Sequence, residues 1–193
     1  MSLKTKLLVA SGAVAAGMTA TPAAAEGMYF GGFVGAASVE DVDVGFGDIQ
    51  PDTSVIFGAV MGGHVTENIR VEGEASYLAI NDADCEGKCA GTTFDVDTLA
   101  LLGNVWFDFG DSASSFRPYV GAGVGIAAVS AESAIGDDEE SGLAYQVGGG
   151  VRLGHGFDVG YRYRAVTVEF EDLVGDDVDA NMHIVQVAWT VDF

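Results

Sequence analysis

The sequence predicts an all-β fold, an eight-stranded antiparallel up-and-down transmembrane β-barrel. Eight segments alternate apolar and polar residues, which is the period of a β-strand with two different faces. The connections between these segments are alternately long and short. The last segment runs to an apolar residue, Phe193, with no polar tail after it. A closed barrel whose outer face meets lipid accounts for all three observations.

The amino-terminal segment has the features of a secretory signal peptide. Two lysines precede a short apolar run over residues 7–16, and three alanines before Glu26 provide a cleavage site. The run is too short to cross a bilayer as a helix, which needs roughly 20 residues. We therefore predict a signal peptide over residues 1–25 and one barrel domain over residues 26–193.

The first four predicted strands cover residues 29–38, 54–65, 69–80 and 93–109. The first is apolar and rich in glycine, and the second has an apolar face of odd-numbered residues. In the third, Arg70, Glu72 and Glu74 alternate with apolar residues, and the two kinds cannot share a face. In the fourth, Asn104 and Asp108 have the opposite parity to Leu99, Leu101, Val105 and Phe107.

The last four predicted strands cover residues 117–129, 142–153, 157–168 and 182–193. The fifth strand carries glycines on one face and Val, Ala and Ile on the other, and the sixth sets apolar residues against Gln146, Arg152 and glycines. The seventh sets aromatic residues and Val159 against charged ones. In the eighth strand, the odd-numbered residues are expected to face lipid: Val185, Val187, Trp189, Val191 and Phe193. Three even-numbered residues are expected to face the interior: Gln186, Thr190 and Asp192.

The connections indicate how the barrel sits in the membrane. Long segments over residues 39–53, 81–92, 130–141 and 169–181 alternate with short turns. Outer-membrane barrels have long extracellular loops and short periplasmic turns, so both termini are expected in the periplasm. The long loops are acidic. Asp41, Asp43 and Asp48 are nearest to the spacing of a calcium site, but we favour a solvated acidic surface.

The charge balance excludes nucleic acid as a partner. The chain has 29 acidic and eight basic residues, and removing the signal peptide takes away two lysines and no acids, which moves the formal charge from −21 to −23. The net negative charge would repel the phosphate backbone of a nucleic acid, and the sequence has no basic patch that would release its counterions.

Most of the remaining basic residues fall on the inward parity of the strands, since an outward Arg at mid-membrane would cost roughly 2–4 kcal/mol. We predict an interior ion-pair network of Arg70, Glu72, Glu74, Asp108, Arg152, Asp158, Arg162 and Arg164. A turn centred on His155 would place three pairs opposite each other: Arg152 with Asp158, Gly148 with Arg162, and Gln146 with Arg164. Eight strands leave an interior that side chains fill, so a structural plug is favoured over a narrow ion path.

Aromatic residues near the strand ends are expected to form a girdle at the membrane interface. They are Tyr29, Phe107, Phe109, Tyr119, Phe157, Trp189 and Phe193.

No residue pattern predicts catalysis, a cofactor or a metal site. Cys85 and Cys89 would meet an oxidising compartment after export, and we predict a local disulfide. His64, His155 and His183 are isolated from a nucleophile and an acid. A lipid-modifying enzyme would need a His and a Ser that meet on the outer face, but the strand of His183 contains no Ser.

The mature chain resembles the small OmpA-type outer-membrane β-barrels, in the porin-like surface antigen family of Gram-negative bacteria. The resemblance lies in the signal peptide and in residues 117–125, 145–151, 161–164 and 189–193. It implies contact with outer-membrane lipid and lipopolysaccharide, and we expect a monomer. It also implies that the terminal strand, with Trp189, Val191 and Phe193, is read by the outer-membrane assembly machinery. The expected function is a non-enzymatic structural and surface-contact role of the acidic loops. The alternatives are a narrow channel for small ions or solutes and a secreted lipocalin-like barrel.

Overall fold

The computed structural model describes residues 27–40, 42–43, 48–50, 53–85, 93–111, 114–133, 136–169 and 177–193. The strands are β1 (Met28–Val39), β2 (Val42–Asp43), β3 (Asp48–Gln50), β4 (Ser54–His64), β5 (Ile69–Cys85), β6 (Thr93–Asp108), β7 (Phe116–Ser133), β8 (Gly136–Leu153), β9 (Phe157–Glu169) and β10 (Asp177–Asp192). Within these ranges, no helix is long and apolar enough to span a membrane.

Eight of these strands form a closed antiparallel barrel. β1 pairs with β4 on one side and with β10 on the other, each later strand pairs with the next, and the pairing of β5 with β6 closes the ring. The remaining two strands, β2 and β3, form a small ribbon, in which β3 pairs with the end of β5. The predicted eight-stranded up-and-down barrel is therefore confirmed.

The outer wall of the barrel is apolar, because the outward parity of each long strand carries mainly Val, Leu, Ile, Phe and Tyr. Val34, Val55, Val124 and Val185 are each more than half exposed. A wall of this kind is suited to lipid contact.

The interior has two layers of different chemistry. Toward the long connections, the inward side chains are apolar: Ala37, Val39, Ile56, Leu78, Ile80, Ala100, Leu102, Ala127, Ala144, Val166, Met182 and Ile184. Toward the short turns, the inward side chains are mostly polar and charged, and they are nearly as buried. The alternation of side chains along the strands predicted the polar layer but not the apolar one.

The strands extend further into the predicted long loops than side-chain alternation indicates. β5 continues to Cys85, and β10 starts at Asp177. The predicted loop over residues 130–141 is mostly hairpin, because β7 and β8 stay paired up to Ser133 and Gly136. Backbone hydrogen bonds hold these extensions together, and backbone pairing does not require alternating side chains.

The short turns keep their predicted positions. Between β8 and β9, residues Gly154–Gly156 form one 3₁₀ turn, and Gly156 has a φ of 81°, a conformation that glycine adopts readily. This turn sets the register of β8 against β9, on which much of the polar layer depends.

Candidate functional site

The centre of the polar layer is the carboxylate of Glu74, on β5. Glu74 Oε1 accepts from Arg164 Nη2 at 2.5 Å, and Oε2 accepts from Arg162 Nη1. Asn104 Nδ2 and Gln146 Nε2 each donate to Oε2 at 3.1 Å. Two guanidinium groups and two amides from four other positions in the barrel thus share one buried carboxylate, which satisfies its hydrogen-bonding capacity.

A second group of buried side chains lies closer to the short turns. Arg70 donates to both oxygens of Asp108, through Nε at 2.8 Å and Nη2 at 3.1 Å. Glu72 accepts from Tyr29 Oη at 2.9 Å and from Trp106 Nε1 at 3.2 Å. A planar guanidinium on a carboxylate in this two-bond geometry is among the stronger charged hydrogen bonds in proteins.

Arg152 and Asp158 complete the set of eight predicted interior residues. Asp158 accepts from Tyr119 Oη at 2.7 Å. The nearest carboxylate to Arg152 in an ion pair is Asp108, at 3.7 Å from Nη1. All eight side chains lie inside the barrel, seven of them buried and Arg152 half-buried.

The register of β8 and β9 agrees with the expectation. Arg152 lies opposite Asp158, Gly148 opposite Arg162, and Gln146 opposite Arg164. A Cβ atom at Gly148 would lie 3.0 Å from Arg162 Cγ and 2.6 Å from the backbone oxygen of Tyr161. Because Gly148 has no side chain, Arg162 has room to lie across the interior.

Two predicted girdle residues, Tyr29 and Tyr119, are instead inside the barrel. Tyr29 has no exposed surface and Tyr119 is 4 % exposed. Tyr29 shares its strand face with Phe33, and Tyr119 shares its face with Arg117. Parity along the strand decides which way a side chain points, whereas the girdle prediction used only closeness to a strand end. The other predicted members point outward and are exposed: Phe107, Phe109, Phe157, Trp189 and Phe193.

Three predicted features lie partly beyond the described residues. Cys85 ends β5, whereas Cys89 falls outside them, so the disulfide stays a prediction. Asp43 and Asp48 are cross-strand partners in the β2–β3 ribbon, and Asp41 is not described. In the described part of the chain, no group of three or more His, Cys, Asp or Glu is arranged to hold a metal ion.

One polar cluster lies on the outer wall, around His183 of β10. His183 Nδ1 is 2.6 Å from Tyr161 Oη, and Nε2 is 3.0 Å from Glu40 Oε1. Ser38 of β1 lies directly opposite His183, a juxtaposition that the sequence analysis missed because it considered one strand only. Both ring nitrogens are already engaged by Tyr161 and Glu40. In this arrangement the imidazole has no free nitrogen to take a proton from Ser38.

A closed antiparallel barrel with an apolar wall and a charged interior is the architecture of the small β-barrel proteins of the outer membrane. The chain belongs to the outer membrane protein beta-barrel domain family, whose family model matches residues 7–190. Its place is accordingly the outer membrane of a Gram-negative bacterium. No curated protein matches the chain in sequence.

Solved structures with the same fold include Neisserial surface protein A, with a TM-score of 0.59 and 16 % identity over 87 % of this chain and 98 % of that one. The attachment invasion locus protein Ail of Yersinia pestis has a TM-score of 0.55 and 16 % identity over 86 % of this chain and 99 % of that one. The outer membrane protein OprG of Pseudomonas aeruginosa has a TM-score of 0.51 and 14 % identity over 87 % and 97 %. At these identities the likeness concerns the fold.

Proposed function

We propose that the protein is a non-enzymatic, closed barrel that stabilises the outer membrane and contacts the environment through its acidic loops. The observation that carries this proposal is the filled interior. Glu74 and its four donors occupy the middle of the barrel, and the apolar layer lies above them. A barrel of eight strands has an interior that side chains can fill.

Little space for water remains inside the barrel. A cavity in the polar layer, among the described residues, is about 20 Å³ and is lined by residues that include Arg70, Glu72 and Arg162. That volume suits about one water molecule. An ion moving through the barrel would have to break the ion pairs and then cross the apolar layer, where nothing replaces its hydration shell.

The distribution of acidic residues supports the proposed orientation. Most of the 29 acidic residues lie, in sequence, in or beside the four long connections. The strand ends that flank these connections are at the end of the barrel opposite to both described chain ends. We place this end at the cell surface and the termini in the periplasm. In this arrangement the outer wall contacts lipid and lipopolysaccharide as a monomer, and the assembly machinery reads Trp189, Val191 and Phe193 at the end of β10.

The alternative is a narrow channel for small ions or solutes. The observation that favours it is the charged layer itself, in which paired Arg and acidic side chains extend across the interior. A rearrangement of these pairs would open a polar path through that layer, although the apolar layer would still have to open.

Planar-bilayer recording of the refolded barrel separates the two functions. We expect no reproducible unitary currents from the wild type, because the interior is filled. Arg162→Ala, which removes a side chain from the polar layer, serves as the second sample, and heat-modifiable gel migration shows that both proteins are folded. Reproducible wild-type currents whose size changes in Arg162→Ala would establish the channel and refute the plug.

A further inference from the structure

The end of the barrel that carries the short turns opens into a vestibule of about 390 Å³. Residues from three turns, from the start of β7 and from the ends of β4, β8 and β10 line it, and they include His64, Thr66, Glu67, Arg117 and Arg152. None of these residues belongs to the Glu74 cluster. The vestibule is open to the surroundings, unlike the filled interior above it.

Two arginines face this vestibule from directly opposite positions on neighbouring strands. Arg117 of β7 is the cross-strand partner of Arg152 of β8. Like charges in opposite positions of a β-ladder destabilise the pair of strands unless an anion compensates them. The arrangement is therefore unfavourable unless negative charge lies beside the two guanidinium groups.

Arg117 is buried and incompletely bonded. Its residue is 6 % exposed, and its Nη2 donates to the backbone oxygen of Glu67 at 2.8 Å. Its Nε is buried and has no hydrogen-bond partner among the described residues. A buried guanidinium N–H without an acceptor costs free energy, and that cost is removed when an acceptor binds.

The cross-strand partner of Arg152 on β9 is Asp158, whose Oδ1 accepts from Tyr119 Oη. In the described part of the chain, Arg152 has no carboxylate at hydrogen-bonding distance. Its Nη1 lies 3.3 Å from His64 Nε2 and 3.7 Å from Asp108 Oδ2. Both oxygens of Asp108 already accept from Arg70, at 2.8 and 3.1 Å. The carboxylate nearest to Arg152 is thus committed to another arginine.

This shortage is unusual for a chain with 29 acidic and eight basic residues. Arg70, Arg162 and Arg164 each have a carboxylate at hydrogen-bonding distance. In the described part of the chain, Arg117 has no ion pair, although Glu67 and Asp192 also line the vestibule. Arg117 and Arg152 are thus the two arginines in the described part of the chain without a carboxylate at hydrogen-bonding distance.

We propose that the vestibule binds a phosphate group, held between Arg117 and Arg152. Guanidinium groups match phosphate oxygens with paired N–H donors, and the hydroxyl groups of Thr66 and Ser114 line the same space. The group comes either from inorganic phosphate or from a phospholipid headgroup. The headgroup is sterically accessible because Leu153, at the rim of the vestibule, is 43 % exposed on the lipid-facing parity of β8, where an acyl chain would pass.

Calorimetric titration of the refolded barrel with inorganic phosphate tests the site, in a phosphate-free detergent and at constant ionic strength. Arg117→Gln and Arg152→Gln should each weaken phosphate binding at least tenfold. Glu67→Gln is the matched control, because it removes a charge of opposite sign from the same vestibule and should leave binding unchanged or tighten it. Circular dichroism shows whether each variant is folded, and Arg117→Lys replaces Arg117→Gln if the latter does not fold.

Native mass spectrometry of the barrel released from phosphatidylglycerol–phosphatidylcholine nanodiscs identifies the source of the phosphate. Phosphatidylglycerol retained by the wild type and lost in Arg117→Gln would identify a headgroup site. Binding of inorganic phosphate without retained lipid would identify a site for the free ion. The proposal is overturned if the wild type binds neither, or if the arginine variants bind as tightly as the wild type. Neither measurement depends on whether the barrel conducts or on its orientation.

Discussion

Replacing Glu74 by Gln should strongly destabilise the barrel. The substitution keeps the size of the side chain and removes the charge that Arg162 and Arg164 share. Both arginines are at most 5 % exposed, so neither gains solvation in exchange. Removing one partner of a buried ion pair typically costs about 3–5 kcal/mol because the other charge is left unpaired. Here two charges are left, and we expect the upper part of that range.

Equilibrium unfolding of the refolded barrel by guanidinium chloride measures this loss. Tryptophan fluorescence is a suitable signal, because Trp106 is buried in the polar layer and Trp189 is exposed on the outer wall. The matched control is Glu67→Gln, which makes the same chemical change at an exposed position and should alter the free energy of unfolding by less than about 0.5 kcal/mol.

A compensated variant separates the loss of charge from the loss of packing. Glu74→Leu combined with Arg162→Met and Arg164→Met removes all three charges together, and such replacements of buried ion pairs are often neutral or stabilising. We expect this variant to recover most of the stability that Glu74→Gln loses. If Glu74→Gln costs less than about 1 kcal/mol, the ion pairs around Glu74 are not a principal source of stability in the barrel.

Three further changes test other parts of the structure. Gly148→Ala should destabilise by about 1–3 kcal/mol because its Cβ would collide with β9, whereas Gly103→Ala, whose Cβ would meet only the oxygen of Val124 at 3.9 Å, should be neutral in the same unfolding measurement. Val187→Arg, on the outer wall, should cost about 2–4 kcal/mol in vesicles, and an unchanged unfolding midpoint would contradict lipid contact at this position. Phe193→Asp should lower the yield of folded barrel in cell envelopes while leaving refolding in detergent intact; a normal envelope yield would show that the terminal residue is not read during assembly.

The barrel was predictable from the sequence because its wall and its polar layer obey a period of two. Once Arg162 and Arg164 are assigned to the interior, the short Gly154–Gly156 turn brings Gly148 and Gln146 opposite them, as the structure has it. A short turn leaves few ways to pair two strands, and a slip of one residue would move the arginines into lipid. Register was therefore determined by local residues alone.

The apolar layer and the contacts of the two tyrosines were not predictable in the same way. Ile56 is inward by parity, but it is as apolar as its outward neighbours Val55 and Phe57, so alternation gives no signal there. The hydroxyl of Tyr29 bonds to Glu72, which lies 43 positions away in sequence. Such a contact depends on the curvature of the whole barrel, which no local pattern contains.

The arginines in the middle of the barrel differ in their partners from the arginines at the vestibule. Burying a guanidinium group in the interior costs free energy unless it pairs with a carboxylate. Arg70, Arg162 and Arg164 each have such an ion pair. If the arginines at the vestibule served stability in the same way, one of the many acidic residues would be expected beside Arg117. Its one described polar partner is instead a backbone carbonyl, and Arg152 stands opposite it with like charge. The cost of burying an unpaired charge explains why the arginines in the middle of the barrel have carboxylate partners. By the same cost, the arginines at the vestibule would be stabilised by the anion that we propose binds there.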